Sequence, residues 1–262
     1  MKRVFGNRWI IILIATFFNL LFEYSLRGVN NALRQPFLPL LLFFIYFTLF
    51  TMVEDLIVRF RLKDSQLIIL SFFYGTIYCA WISGILFLPP VSAGGIRWIE
   101  LLYVNLVWWG SLQAVLTFYL ANLLSLREWN HSRLSKKGWA VCLMIQAVAF
   151  YLFQKSGLLP HGSPTGTFTI LIIVTVSLAI FLFTLKKRNE ILPFQKSTFL
   201  NLLLILTILI FIICAFFLTK DPIVSATSQV NATSLRIVRL WTLILAVLLW
   251  IYRFWSKKRI SV

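Results

Sequence analysis

The stretch "FLPLLLFFIYFTLFTMVEDLIVRFRLKDS", residues 37–65, carries no charge from Phe37 to Val53, meets two adjacent acids at Glu54 and Asp55, and then passes Arg59, Arg61 and Lys63. At about 1.5 Å per residue, a helix over this stretch crosses a hydrocarbon layer about 30 Å thick by the time the basic residues arrive. It therefore reads as a transmembrane helix ending in a charged rim. Seven further apolar runs have the same character: 9–25, 66–88, 99–124, 138–153, 167–185, 198–218 and 237–254. The expected fold is all-α, a polytopic transmembrane helix bundle of about eight helices. The first run has no small-residue cleavage site and leads straight into the second, so it is read as a span and not as a signal peptide.

Composition agrees. Of the 262 residues 60% are hydrophobic, 16% aromatic and 13% charged, and the mean hydropathy is +0.88. This is far from the mix of a water-soluble domain. The connections 127–137, 154–166, 186–197 and 219–235 are too short to fold as soluble units, which leaves 1–262 as a single integral membrane domain. Polar residues gather in a core at about 37–125, and the helices at about 138–254 are plainer packing or lipid-facing elements.

The net charge of +17 does not point to nucleic acid, because the basic residues punctuate apolar runs instead of covering a soluble face. Alternate loops divide them unequally. Arg27, Arg34, Arg97, Lys155, Lys220, Arg236 and Arg239 fall on one side and the remaining 18 of the 25 Lys and Arg on the other. Positive loops stay inside, so both termini are expected in the cytoplasm of a cell whose plasma or inner membrane holds the chain. The sequon at Asn231 lies in an outer loop of this topology.

Cofactor chemistry finds little to build on. His131 and His161 both fall in loops, Cys79, Cys142 and Cys214 sit on different spans without paired spacing, and Asp64 and Asp221 are isolated. Haem ligation, a zinc cluster and aspartate-rich magnesium sites are therefore not expected, and no cofactor or metal is assigned. Ionisable groups within spans are costly and are therefore paired or functional. Glu23 and Arg27, four residues apart at the end of the first span, can pair. So can Asp55 and Arg59, whereas Glu54 is turned about 100° away and stays available. Near the rim these side chains could also simply snorkel to water.

The order Glu54-Asp55-Leu-Ile-Val-Arg59 resembles the first motif, E-E-x-x-x-R, of the CAAX-processing and bacteriocin-immunity (CPBP) intramembrane protease family. Downstream, "SFFYGTIY" (71–78) is similar to its F-x-x-x-H motif, with Tyr78 where histidine belongs. "GSLQAVLTFYLANLL" (110–124) looks like the third motif, with Tyr119 near the histidine position and Asn122 near the polar one. The resemblance covers about residues 45–125. In that family a glutamate and histidines activate water for peptide hydrolysis, whereas a neutral tyrosine is a poor base at neutral pH. What the resemblance implies is a polar-lined cavity formed by Glu54, Asp55, Arg59, Tyr78, Tyr119 and Asn122, with the protease chemistry lost. The protein would then bind a hydrophobic peptide, a lipidated chain or a membrane partner within the lipid bilayer. The alternative is a small-solute or lipid transporter, or an isoprenoid-handling membrane enzyme, with Glu54 as the protonatable group.

Overall fold

The computed structural model describes residues 7–129, 134–155, 161–185, 194–218, 223–225, 230–256 and 260. Eight of its helical segments are long and apolar enough to cross a membrane. In chain order they are α1 (Asn7–Arg27), α3 (Phe37–Phe60), α4 (Asp64–Ile77) running into a π-turn at Tyr78–Ile82, a fourth span at 98–124, α7 (Lys136–Lys155), α8 (Pro164–Thr184), α9 (Thr198–Phe217) and α10 (Ala232–Ser256). A short helix α2 (Val29–Arg34) joins the first two spans. The fourth span is composite: α5 (Trp98–Leu102), a π-helix (Tyr103–Leu116) and α6 (Thr117–Leu124). Strands β1 (Ile223–Ser225) and β2 (Val230–Asn231) pair antiparallel before α10. His131 and Asp221 lie outside the described residues, and His161 is in a connecting segment as expected.

The helix ends follow local chemistry. Ser163 caps α8 by accepting the Gly166 N–H at 3.1 Å with Pro164 next in line, and Ser197 begins α9 in the same way. At the end of α3, Arg61 takes a left-handed conformation and returns its N–H to the Ile57 carbonyl. The sequon residue Asn231 is buried, and its side-chain oxygen caps α10 through the Ser234 N–H at 3.0 Å. One boundary departs from expectation. The third span does not continue to residue 88: Ser83 closes a π-turn on the Tyr78 carbonyl, Gly84 turns left-handed, and Ile85–Phe87 forms a separate 3-10 turn.

The fourth span is the axis of the bundle. Its π-helix packs on α4 and α10 while α6 packs on α1, and α1 also meets α3 and α9. Of its most apolar window, 83% is buried, against 11% for α7. α7 lies on α3 and α8 on α4, each presenting an apolar flank outward. Two contacts place both described chain ends at one end of the bundle: Arg8 meets Asp55, and the Ile260 N–H reaches Asp64, the first residue of α4.

Candidate functional site

Glu54 and Asp55 occupy the last two turns of α3, and the 100° between neighbouring residues sends them to different partners. Glu54 is fully buried and takes two parallel hydrogen bonds at 2.8 Å from Nε and Nη2 of Arg127, just beyond α6. The guanidinium lies over the rings of Phe118 and Trp129. This bidentate pair uses one lone pair on each carboxylate oxygen. The remaining guanidinium nitrogen, Nη1, is buried without a hydrogen-bond partner.

Asp55 collects donors from three directions. Arg59 gives Nη2 at 2.7 Å and Nε at 3.1 Å, the Leu134 N–H approaches to 2.6 Å, and Trp139 Nε1 to 3.0 Å. Arg8 completes the shell at 3.9 Å. The expected Asp55–Arg59 pair is therefore present, and it also seats the start of α7. The sequence left Glu54 without a partner; the structure gives it Arg127, 73 residues away. That arginine read as a loop charge setting topology, and nothing in its neighbourhood marked it as a buried counter-ion.

Tyr78 and Tyr119 each tie together two spans. Tyr78 donates to the side-chain oxygen of Gln146, whose amide nitrogen in turn donates to the Ile45 carbonyl at 2.8 Å and to Thr48 at 2.7 Å. One glutamine thus holds α7 to α3 and to the π-turn. A lone amide within the apolar run of α7 is the signal that could have singled it out. Tyr119 is fully buried on α6, accepts the Ser197 N–H at 3.1 Å and donates to Asn201 at 2.7 Å. It fixes the first turn of α9. Tyr119→Phe is expected to lower stability by about 1 kcal/mol, measured as thermal unfolding in detergent. Asn122, one turn later, is buried as well. Glu54, Tyr78 and Tyr119 hold three separate sets of partners, and no hydrogen bond described among them joins one to another.

The other acids inside the bundle are paired too. Glu100 receives Arg239 from α10 and lies 3.8 Å from Arg97, and Asp64 receives the Ile260 N–H at 2.8 Å with Arg253 at 3.9 Å. Asp64, Arg253 and Ile260, with Ser111, Val115, Leu249 and Trp250, line a cleft of about 190 Å³. Glu23 receives Arg27 at 3.2 Å and the Tyr46 hydroxyl, and the Gln113 amide donates to that hydroxyl at 3.4 Å. One turn along α1, Asn19 donates to Thr117 at 3.2 Å. Among the described residues no three His, Cys, Asp or Glu are grouped to hold a metal ion.

Neither a curated protein nor a solved structure matches the chain. The sequence pattern of one family, described as an uncharacterized membrane protein family, matches residues 12–260. A match over nearly the whole length, joined to eight membrane-crossing helices, makes the chain a multi-pass integral membrane protein belonging to that family.

Proposed function

We propose that this is a non-catalytic membrane protein, akin to a CPBP core whose hydrolytic residues have become structural ties, and that it binds a hydrophobic peptide, a lipidated chain or a membrane partner. The observation that carries this reading is the closure of Glu54 by Arg127. A carboxylate serving as a general base must present a lone pair to water, whereas this one is buried and held by a bidentate cation. Tyr78 and Tyr119 are likewise engaged between spans. In this reading both ends of the chain face the cytoplasm of a plasma or inner membrane, as the charge asymmetry of the loops supports.

Two measurements test it. Purified protein in nanodiscs is expected to leave plain and prenylated peptides uncleaved while a photoreactive prenylated peptide labels it. Cleavage that is lost in Glu54→Gln would overturn the reading, as would the absence of specific labelling. For the topology, cysteine labels placed at 135 are expected to react only from the cytoplasmic side, and labels at 161 only from the opposite side. A cytoplasmic label at 161 refutes the orientation.

The second reading, transport or isoprenoid chemistry through a protonatable carboxylate, loses Glu54 to Arg127. It is favoured instead by Glu23, a carboxylate within a span whose partners include a neutral hydroxyl.

A further inference from the structure

Glu23 lies one turn before the end of α1 and joins three spans through one carboxylate. Arg27 donates to Oε2 from the same helix. Tyr46 of α3 donates to Oε1, and Gln113 of the π-helix donates to Tyr46 at 3.4 Å. All hydrogen bonds in this chain point one way, from amide to hydroxyl to carboxylate. A hydroxyl and a side-chain amide can each act as donor or acceptor, whereas a carboxylate only accepts until it takes a proton.

From this we propose that Glu23 is a proton-binding site in the membrane, and that its proton reverses the polarity of the chain. Glu23 takes one proton from water at the end of the bundle opposite the chain termini; its side chain and that of Arg27 are 16% and 17% exposed. The new carboxyl O–H donates to the Tyr46 oxygen. The Tyr46 hydroxyl then turns to donate to the Gln113 carbonyl oxygen after the amide rotates, and Arg27 is released from its ion pair. No other bond forms or breaks, and loss of the proton restores the first polarity. The two arrangements bond α1, α3 and the π-helix through the same three side chains, and only one keeps the ion pair. Protonation therefore weakens the charged link and leaves the neutral one, which is the form of a two-state element biased by a single ligand.

The surroundings supply few competing charges. Tyr24 and Arg27 on α1, Tyr46 on α3 and Cys79 beyond it are within electrostatic reach. α9 packs on this part of α1 with Phe211, which meets Phe18 and Phe22, and the π-helix adds Trp108 against Phe22. α6 contributes Thr117 to Asn19, α2 carries Arg34, β2 carries no titratable side chain, and α10 carries Arg236 along with Arg239, which is bound to Glu100. The weakest link, at 3.4 Å, is the one that must open for the amide to rotate.

This site stands apart from the hydrophobic-segment reading, since it requires neither catalysis nor a partner. The test is infrared difference spectroscopy of the full chain in liposomes, titrated from alkaline to acid pH. A protonated-carboxyl band is expected in the wild type and absent in Glu23→Gln, and the pH at which it appears is expected to move by about one unit in Tyr46→Phe, which removes one charge-assisted hydrogen bond. Gln113→Leu is expected to retain the band with altered frequency, because the hydroxyl loses its acceptor. A band that persists in Glu23→Gln overturns the proposal, as does an unmoved midpoint in Tyr46→Phe. Should Glu23→Gln fail to accumulate, the Tyr46→Phe midpoint decides alone.

Discussion

Arg127→Leu is expected to lower the stability of the folded bundle by about 3–5 kcal/mol, because it leaves the Glu54 carboxylate buried without its counter-ion. Leucine fills part of the space between Phe118 and Trp129, so the loss arises from the stranded charge more than from a cavity. Glu54→Gln should also destabilise, since the guanidinium keeps one acceptor where it had two. The diagnostic variant is Glu54→Gln with Arg127→Gln. Two neutral amides can bond to each other, and the double variant is expected to lose less than the two single changes added together. Denaturant unfolding of the four proteins in one detergent supplies the cycle. Strict additivity would show that the two residues do not act as a pair.

Gly75→Leu is expected to prevent folding. A Cβ at this position would stand 2.5 Å from the Asn105 side-chain oxygen and 2.7 Å from Trp109. Neither neighbour has room to move: Asn105 donates to Thr76 at 2.8 Å, and Trp109 is packed between Tyr74 and Tyr78. Small residues let membrane helices approach closely, and Gly75 is where α4 meets the π-helix. Gly75→Ala is expected to cost about 1–3 kcal/mol by overpacking, with Val141→Ala on the exposed flank of α7 as a control that changes little. The check is the fraction of monodisperse protein recovered after extraction. Normal recovery of Gly75→Leu would mean that the two helices are not held at this distance.

The spans were legible in the sequence because each apolar run is as long as a membrane is thick and is closed by charge. Asp55 with Arg59 and Glu23 with Arg27 were legible for a related reason: pairs four residues apart meet whatever the rest of the chain does. The link from Glu54 to Arg127 was not, since it depends on which face α3 turns toward the end of α6, and packing across the whole bundle sets that rotation. Tyr46 escaped notice because an aromatic residue in an apolar run reads as packing until a carboxylate is found beside it. Gln146 sits in the shortest apolar run, where its amide looked like a flaw in the span and not its anchor. The resemblance across residues 45–125 identified residues that are buried and hydrogen-bonded, but a linear motif does not say whether they bond to one another or to neighbours elsewhere in the chain.

The winding of the fourth span carries an evolutionary consequence. Ser111 and Thr117 each hydrogen-bond the carbonyl five residues back, the signature of a helix holding more residues per turn than an α-helix. Such a segment is the trace of insertion, and it is vulnerable to the reverse event. Deleting one codon between 103 and 116 would let the backbone rewind as an α-helix and rotate everything after the deletion by about 100° relative to everything before it. Thr117 would then leave Asn19, and Tyr119 would leave the first turn of α9, with no side chain substituted. Within this stretch, descendants can exchange residues far more freely than they can change its length.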